Sequence, residues 1–210
     1  MENSSSQDPP ETKESKTQHQ GIFRGPEEIT ISNLLSSILK RNPNLDENEI
    51  TKAIKFSFEA HVNQFRKSGM PYAEHPVEVA KLLADYQMDT DTIIAGLLHD
   101  VVEDTDIPLR TLEKRFGSPV AFMVDAVTKI SYIKRNGEDD KDRQKAMTYR
   151  KFLLSVAQDP RVLMIKIMDR LHNMRTLNYI PKTAKRKRIS QETMDIYAPL
   201  SHRFGLQKIK

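Results

Sequence analysis

The sequence predicts an all-α protein, and three observations indicate that class. From Ile29 onward, apolar residues recur at helical spacing almost without interruption. No run of alternating apolar and polar residues is long enough to predict a strand. No internal repeat is visible either. Together these features predict helices along most of the chain.

The first 28 residues differ in composition from the rest of the chain. Residues 1–28 are rich in Ser, Gln, Glu, Lys and Pro and lack apolar periodicity, so we expect a disordered N-terminal extension. Residues 29–210 are expected to form one domain, since 210 residues suit a single domain with such an extension. The hydrophobic share of 38% is low for a compact domain because the polar extension dilutes it.

The first three predicted helices follow from periodicity and capping. The first ends near Asn42–Pro43, and its apolar residues have i, i+3, i+4, i+7 spacing: Ile31, Leu34, Leu35 and Ile38. Asp46 can cap a second helix, which continues to about Phe65. A third begins near His75–Pro76, where proline is tolerated in the first turn.

The later helices are predicted by the same signals. The fourth runs from about Thr90 to Asp104, and a short fifth, Leu109–Phe116, is stopped by Gly117. The remaining predicted helices are Ser118 to about Lys129, Tyr149–Ala157, Pro160 to about Leu177, and Ile189–Phe204 with a kink at Pro199. Between them, Ser131–Lys145 contains Asn-Gly and a run of charges, so a mobile polar loop is expected.

Composition limits the function classes. The chain has no cysteine, which excludes disulfides and thiolate metal ligands. Its 33 basic and 29 acidic residues nearly cancel to a net charge of +4, which permits a phosphate-rich ligand without requiring one. No signal peptide is visible, and no apolar stretch approaches the roughly 20 residues of a membrane span. We therefore expect a soluble cytoplasmic protein with no membrane partner.

The most informative segment is His99–Asp104, which closes the apolar run Ile93–Leu98. A His-Asp pair at the end of a buried helix is costly unless something neutralises and orients it, and a divalent metal would do both. On a continuous helix, Glu103 would lie one turn after His99 and Asp104 one turn after Asp100. This spacing predicts a metal site with an acid/base group beside it, although Glu103 and Asp104 alone could simply be solvated at a helix end.

Two further candidate ligands are His75, beside a helix start, and Asp169, after the apolar run Leu163–Met168. Taken alone, each is more often structural, and Asp169 could pair with Arg170. Taken with His99 and Asp100, they form a pattern of ligands on different helices, as in metal sites built inside helical bundles. Nitrogen and oxygen ligands suit Mn, Fe, Zn or Mg.

Several segments together give this chain a specific resemblance. It resembles the hydrolase domain of RelA/SpoT-type proteins, within the HD superfamily of metal-dependent phosphohydrolases, from about Asn33 to Lys210. The segments that carry the resemblance are Phe65–Gly69, Tyr72–Pro76, Leu97–Thr105, Val127–Lys129, Asp169–Leu177 and Arg188–Leu200. The His99-Asp100-x-x-Glu103-Asp104 segment is whole, whereas degenerate family members have lost it, so an active hydrolase is expected.

The resemblance implies an HD-domain helical bundle with a metal site in its core. It implies hydrolysis of the 3′-pyrophosphate of guanosine tetra- or pentaphosphate, with one Mn²⁺ ion as cofactor. The implied metal ligands are His75, His99, Asp100 and Asp169, and the implied catalytic acidic pair is Glu103 and Asp104. The implied substrate-binding residues are Arg66, Lys67, Ser68, Tyr72, Asn173 and Thr176. For Tyr72, packing against a helix is the commoner role.

The sequence leaves two alternatives open. Another HD phosphohydrolase would share the metal residues but act on a different nucleotide, and a catalytically silent nucleotide-binding module would share the fold. The basic run Lys182–Arg188 could contact nucleic acid, but a solvated helix start is favoured. The resemblance also implies linkage to a synthetase domain and a regulatory region in a longer protein.

Overall fold

The described part of the chain is helical, which confirms the all-α prediction. The computed structural model describes residues 31–62, 64–66, 69, 71–135, 150 and 153–206, with side chains described only to Thr128 in the helix that ends at Arg135. Within these ranges no strand is present, and one isolated antiparallel bridge joins Phe65 to Pro71. The predicted N-terminal extension, residues 1–28, lies outside the described residues.

The helices follow one another with short connections. In chain order they are α1 Ile31–Leu39, α2 Glu47–Ala60, α3 Glu74–Asp85, α4 Thr90–Leu98, α5 Val101–Asp104, α6 Leu109–Phe116, α7 Ser118–Arg135, α8 at 153–158, α9 Arg161–Arg175, α10 Thr183–Glu192 and α11 Ala198–Arg203. A 3₁₀ turn spans Leu177–Tyr179, and a π-helical turn spans Thr193–Tyr197. None of the helices in the described ranges combines the length and the apolar character needed to cross a lipid bilayer.

Helix α4 occupies the centre of the core. Every residue of Thr92–Leu98 is buried, and the helix packs against α2, α3, α7 and α9. Its start is capped by Asp89, whose carboxylate accepts a 2.8 Å hydrogen bond from the Thr92 backbone nitrogen. A Cβ atom on Gly96 would lie 2.5 Å from Leu83 Cδ1, so glycine allows α3 to approach α4 closely. The end of α4 therefore lies deep in the molecule.

Three elements meet where α4 ends. Helix α3 contacts both α4 and α9, and α4 contacts α9. Helix α9 is buried at Val162, Leu163 and every residue of Ile165–Asp169, so its middle is enclosed on all sides. The first turn of α3, the end of α4 and the middle of α9 thus lie side by side in the core.

The second predicted helix ends earlier than the sequence indicated. Helix α2 stops at Ala60, and Phe65 pairs instead with Pro71 in the isolated bridge. The Tyr72 backbone nitrogen donates a 2.9 Å hydrogen bond to the Gln64 carbonyl oxygen. The segment after α2 therefore turns back on itself, because backbone pairing across the loop replaces further helical hydrogen bonds.

The prediction of one continuous helix from Thr90 to Asp104 is wrong. Helix α4 ends at Leu98, and Asp100 has φ −97° and ψ −9°, away from regular helical geometry. A separate turn, α5, then follows. Helix α7 is longer than predicted and takes up residues 131–135 of the expected polar loop. The rest of that loop, 136–145, lies outside the described residues.

The C-terminal helical region begins earlier in the chain than predicted, and it contains a π-helical turn. The sequence indicated one helix over Ile189–Phe204 with a kink at Pro199, but α10 already begins at Thr183 and is followed by the π-helical turn. Pro199 follows this turn within an unbroken helical stretch, where it cannot donate an N–H and its ring crowds the carbonyl oxygen of Asp195, four residues earlier in the π-helical turn. The irregularity therefore lies in the turn before Pro199, where the proline perturbs helical hydrogen bonding.

Candidate metal centre

Two imidazoles and a carboxylate converge where the three elements meet. Among the described residues, one ligand atom from each of His75, His99 and Asp169 lies within 4.8 Å of the other two, and all three residues are buried. His75 belongs to the first turn of α3, His99 caps the end of α4, and Asp169 lies in α9. Residues distant in sequence thus form one polar cluster inside an apolar core.

Asp100 completes the cluster. Its Oδ1 lies 3.2 Å from His99 Nε2, and its Oδ2 lies 3.7 Å from His75 Nε2. The Asp100 side chain is only 17% exposed, so its carboxylate faces the cluster rather than bulk water. The four residues predicted as ligands are therefore neighbours in space.

The donor set fits a divalent cation, and His99 gives the clearest reason. Its Nδ1 lies 2.8 Å from the Gly96 carbonyl oxygen, which only accepts hydrogen bonds, so Nδ1 carries the proton of the neutral ring. His99 Nε2 then presents a lone pair, and this buried atom has no hydrogen-bond partner among the described residues. A buried lone pair directed toward carboxylates is the arrangement that binds a metal ion.

The charged groups of the cluster shift each other's pKa. Burial opposes ionisation of Asp100, but His99 and His75 outweigh burial and lower the pKa of Asp100. Burial also opposes ionisation of Asp169, and Lys166 with the two histidines lowers its pKa. Burial lowers the pKa of His75, whereas at His99 the two carboxylates outweigh burial and raise the pKa to about 9. Both carboxylates therefore remain ionised and favour positive charge at His99 Nε2, which is either a proton or, in its place, a metal ion.

Asp169 is held by two partners on its own helix. Lys166 Nζ lies 3.2 Å from Asp169 Oδ2, and Asn173 Nδ2 donates a 2.5 Å hydrogen bond to Asp169 Oδ1. His75 Nε2 lies 3.3 Å from the same Oδ1. Lys166 is 6% exposed, so a buried ammonium group balances part of the charge of this carboxylate.

Helix α5 places the acidic pair at the edge of the cluster. Glu103 and Asp104 are both half-buried. Tyr72 lies between the cluster and this pair, because its hydroxyl is 2.5 Å from Asp104 Oδ2 and 2.9 Å from Asp100 Oδ2. Gln64 Nε2 also donates a 3.0 Å hydrogen bond to the Asp104 carbonyl oxygen. The Tyr72 hydroxyl thus makes polar contacts with Asp100 and Asp104, in addition to any packing of its ring.

The predicted substrate-binding residues lie in different places. Arg66 reaches the cluster, since its Nη2 donates a 2.9 Å hydrogen bond to Asn173 Oδ1. Thr176 caps the end of α9, and its hydroxyl donates to the backbone carbonyl oxygen of His172 at 3.1 Å. The hydroxyl contacts of Thr176 in the described part of the chain are thus with the α9 backbone rather than with the four clustered side chains. Lys67 and Ser68 lie outside the described residues.

Sequence reasoning gave no role to two residues that contact the site. Gln64 holds the backbone of α5, and Lys166 pairs with Asp169 from inside the core. A signal for Lys166 was available, because it is the only charged residue in the apolar run Leu163–Met168 and lies three positions before Asp169. Gln64 had no such signal, because its role depends on the turn between α2 and α3.

Comparison with known proteins agrees with this geometry. A family model described as "HD domain" matches residues 53–207. The chain is 46% identical over 183 residues to the guanosine-3′,5′-bis(diphosphate) 3′-pyrophosphohydrolase of Aquifex aeolicus, covering 87% of this chain and 25% of that protein. It is 45% identical over 152 residues to the bifunctional (p)ppGpp synthase/hydrolase SpoT of Escherichia coli K12, covering 72% and 21%.

Two further similar proteins are a named GTP pyrophosphokinase and a SpoT ortholog of known structure. A GTP pyrophosphokinase of Myxococcus xanthus is 43% identical over 174 residues, covering 83% of this chain and 23% of that protein. The chain thus spans about a quarter or less of the length of these relatives. A solved structure of a metazoan SpoT ortholog, described as hydrolysing ppGpp, matches with a TM-score of 0.54 and 29% identity, covering 70% of this chain and 84% of that one. This chain belongs to the HD-domain family.

Proposed function

We propose that this chain hydrolyses the 3′-pyrophosphate of guanosine tetra- or pentaphosphate, giving GDP or GTP and pyrophosphate. The observation that carries the proposal is the convergence of His75, His99, Asp100 and Asp169 on one buried position. The Aquifex aeolicus relative is named for this reaction, and the E. coli relative is named as both synthase and hydrolase. The activity is that of a guanosine-3′,5′-bis(diphosphate) 3′-pyrophosphohydrolase.

The four converging residues would hold one Mn²⁺ ion. When bound, the ion supplies a Lewis acid that polarises a phosphoryl oxygen and lowers the pKa of a coordinated water. The chain's contribution is to hold the Nε2 atoms of two imidazoles close to two ionised carboxylates in a buried position. Oxygen and nitrogen donors are consistent with Mn²⁺ and also with neighbouring divalent ions.

Glu103 and Asp104 are the proposed acid/base groups. One of these carboxylates takes a proton from the attacking water as its oxygen bonds to the phosphorus attached to the 3′ oxygen. The bond between that phosphorus and the 3′ oxygen then breaks, and the 3′ oxygen receives a proton. Tyr72 holds Asp104 through its hydroxyl, so it orients one member of the pair.

Two of the proposed nucleotide-binding residues are close to the acidic pair, since Tyr72 contacts Asp104 and the Arg66 guanidinium lies 5.8 Å from the centre of the Tyr72 ring. Arg66 is half-buried, and its planar guanidinium can stack on a purine face. Tyr72, Asn173 and Thr176 join it in the proposal, with the undescribed loop residues Lys67 and Ser68. Arg66 and Asn173 already contact each other, which supports a shared binding surface.

We propose that the substrate is the main small-molecule partner, and that a linked synthetase and regulatory region accompany this chain in a longer protein. The named synthetase activities of two relatives and the small share of their length that this chain spans support this linkage. Guanine nucleotides are cytoplasmic metabolites, so the proposed substrate implies a cytoplasmic site of action. The exposed basic residues of α10 are proposed to be solvated rather than to bind nucleic acid.

The central experiment incubates the purified chain with guanosine tetraphosphate and Mn²⁺ and identifies the products. We expect GDP and intact pyrophosphate. Glu103→Gln should reduce turnover at least 100-fold, because general acid–base catalysis typically contributes about 10²–10⁴-fold. The matched control is Glu113→Gln, on the exposed face of α6, which should leave turnover unchanged.

Three outcomes would contradict the proposal. Cleavage of a deoxynucleoside triphosphate with the tetraphosphate untouched would indicate another HD phosphohydrolase. Stepwise release of single phosphates would indicate a different phosphatase chemistry. A wild-type chain as inert as Glu103→Gln, with nucleotide still bound, would indicate a silent binding module.

A second experiment tests the metal ligands directly. Asp169→Ala should abolish both Mn²⁺ binding and turnover, because it removes a carboxylate that approaches both imidazoles. Isothermal titration with Mn²⁺ measures the first effect, and product release measures the second. Mn²⁺ binding at full occupancy in Asp169→Ala would contradict the assigned role.

A further inference from the structure

His172 has a direct contact with a candidate metal ligand. It lies three residues after Asp169 on α9, and its Nδ1 is 2.6 Å from His75 Nδ1. Two ring nitrogens at this distance share one proton, so one nitrogen donates and the other accepts. The direction of this hydrogen bond decides which nitrogen of His75 keeps a lone pair.

A second contact shows which ring accepts. Arg66 Nη1 lies 3.4 Å from the same Nδ1 of His172, and a guanidinium only donates hydrogen bonds. His172 Nδ1 therefore faces two donors if His75 donates, whereas it would direct an N–H at a guanidinium if His75 accepted. With a cation between His75 Nε2 and the carboxylates, the favourable arrangement has His75 Nδ1–H donating to His172 Nδ1. Without the cation, Nε2 can itself carry a proton toward Asp169 Oδ1.

This arrangement directs the other nitrogen of His75 toward the cluster. With the proton on Nδ1, His75 Nε2 presents its lone pair beside Asp169 Oδ1 at 3.3 Å and Asp100 Oδ2 at 3.7 Å. At His99 the Gly96 carbonyl oxygen has the same effect on Nδ1. The two imidazoles are thus oriented alike, one by a backbone acceptor and the other by a side chain.

We propose that His172 is a positioning residue for the metal centre, because it accepts the Nδ1–H of His75 and so fixes the tautomer that offers Nε2 to the cation. The inference rests on the proposed metal site and extends it to a residue outside the ligand set. His172 acts through His75 and need not touch the cation or the nucleotide. Only the side-chain acceptor can be removed by substitution, so His172 can be tested where Gly96 cannot.

The test measures Mn²⁺ affinity without nucleotide, by isothermal titration and by electron paramagnetic resonance of free Mn²⁺. His172→Leu should weaken Mn²⁺ binding about 10- to 100-fold, the usual effect of losing a hydrogen-bond partner of a metal ligand. His172→Asn can place its Oδ1 near the position of Nδ1 and should stay within about threefold of wild type. His202→Leu, at an exposed position in α11, is the matched control and should bind like wild type.

Turnover separates positioning from substrate contact. In His172→Leu, raising Mn²⁺ to saturation should restore kcat, and KM for the nucleotide should not change. Thermal unfolding of each variant checks folding, and His172→Ala replaces His172→Leu if the bulkier side chain prevents folding. Mn²⁺ affinity of His172→Leu or His172→Ala within twofold of wild type would overturn the inference, as would equal losses in the Asn and Leu variants.

The outcomes also distinguish this inference from the proposed function. Wild-type Mn²⁺ binding without hydrolysis of the tetraphosphate would contradict the proposed reaction and leave the His172 comparison intact. Absence of Mn²⁺ binding in wild type would overturn both the metal site and the role of His172. Normal hydrolysis with unchanged Mn²⁺ affinity in His172→Leu would overturn the inference alone.

Discussion

The Lys166 ammonium group lies inside the core beside a candidate metal ligand. It is 6% exposed and 3.2 Å from Asp169 Oδ2. Burial alone would lower the pKa of Lys166, but Asp169 and the other acidic groups nearby outweigh burial and raise it. Lys166 therefore stays charged and stabilises the ionised form of Asp169.

Replacing Lys166 should destabilise the protein more than replacing an exposed lysine. Lys166→Met leaves the Asp169 carboxylate buried without its ammonium partner, which costs about 3–5 kcal/mol in the free energy of unfolding. Urea unfolding in EDTA measures this loss, and Lys114→Met, at an exposed position in α6, is the control. A loss below about 1 kcal/mol would show that other groups balance the carboxylate.

The Tyr72 hydroxyl provides a second test at the residue scale. Burial, followed by the charges of Asp100 and Asp104, raises the pKa of Tyr72, so the hydroxyl remains a donor at neutral pH. Tyr72→Phe removes a hydrogen bond to a charged acceptor, worth about 1.5–3 kcal/mol. If that bond orients Asp104 for catalysis, kcat should fall roughly 10- to 100-fold.

The measurement is kcat at saturating Mn²⁺ for wild type and Tyr72→Phe. Tyr179→Phe is the control, because Tyr179 is 52% exposed on the 3₁₀ turn after α9. An unchanged kcat in Tyr72→Phe would show that packing, rather than the hydrogen bond, is the role of this residue.

At this scale, the residues of the polar cluster could be predicted from the sequence but their supporting contacts could not. The four candidate ligands stand out because each is polar beside an apolar run, and the structure brings them together. Gln64 and His172 contact the site through distances set by the packing of separate elements. Such contacts depend on the tertiary structure, so local sequence carries little signal for them.

At the scale of elements, the close approach of α3 and α4 depends on Gly96. A methyl group at this position would meet Leu83 Cδ1 at 2.5 Å, and Leu83 is itself fully buried. Gly96→Ala should lower the free energy of unfolding by about 1–3 kcal/mol, the usual cost of overpacking a core. This loss exceeds the roughly 0.5–1 kcal/mol that alanine contributes by its greater helix propensity.

Chemical unfolding of Gly96→Ala, Leu83→Val and the double variant measures this effect. The double variant removes the atom that the new methyl group would meet, so it should be more stable than the sum of the single changes predicts. Additive losses would show that Leu83 is not the residue that limits the approach of the two helices.

Arg161 joins the starts of α9 and α4. Its guanidinium bonds to Asp159 at 2.6 Å and to Asp89, the N-cap of α4, at 3.0 Å. Arg161 is the main cause of the lowered pKa of Asp159. At Asp89, burial acts in the opposite direction, but hydrogen bonds from Thr92 and Arg161 outweigh it and lower the pKa.

These lowered pKa values predict a pH dependence of stability. A carboxyl group with a lowered pKa in the folded state stabilises the protein above its unfolded pKa, and this contribution is lost as pH falls through the folded value. Arg161→Gln should therefore cost about 1 kcal/mol at pH 7, a modest value because Asp89 is largely exposed. The difference from wild type should shrink as pH falls below about 4.

Urea unfolding in EDTA from pH 3 to pH 7 measures this difference, with Arg110→Gln on the exposed face of α6 as control. A loss in Arg161→Gln that stays constant across this range would contradict the ionic origin of the contact.

Most helices could be predicted from periodicity, whereas several boundaries could not. The apolar runs of α1, α4 and α9 and the cap at Asp46 appear in the structure as expected. The break after Leu98 could not be predicted, because His99–Asp104 keeps helical spacing while tertiary packing turns the chain at Asp100. Pro199 signalled a kink in the last helical stretch, but not that the kink would take the form of a π-helical turn at Thr193–Tyr197.

At the scale of the whole molecule, the candidate ligands join three helices that are distant in sequence. A cation bound by α3, α9 and the end of α4 binds the folded state, so it should raise the free energy of unfolding by RT ln(1 + [Mn²⁺]/Kd). At 100 times Kd this amounts to about 2.7 kcal/mol, which corresponds to a rise in Tm of roughly 5–10 °C.

Thermal scans in EDTA and in increasing Mn²⁺ measure this shift. Asp169→Asn is the matched variant, and its Tm should respond to Mn²⁺ much less than the wild-type Tm. A wild-type Tm that is independent of Mn²⁺ would contradict a site assembled only in the folded chain.

Gly96 affects both the packing of the core and the orientation of a candidate metal ligand. Its missing side chain admits α3, and its carbonyl oxygen holds His99 in the tautomer that faces the ligands. Consider a random library built on a Gly96 substitution and screened only for heat resistance. Such a screen could recover variants whose core is repacked but whose His99 ring no longer faces the candidate ligands. Screening the same library for ion retention would select a smaller and different set of sequences.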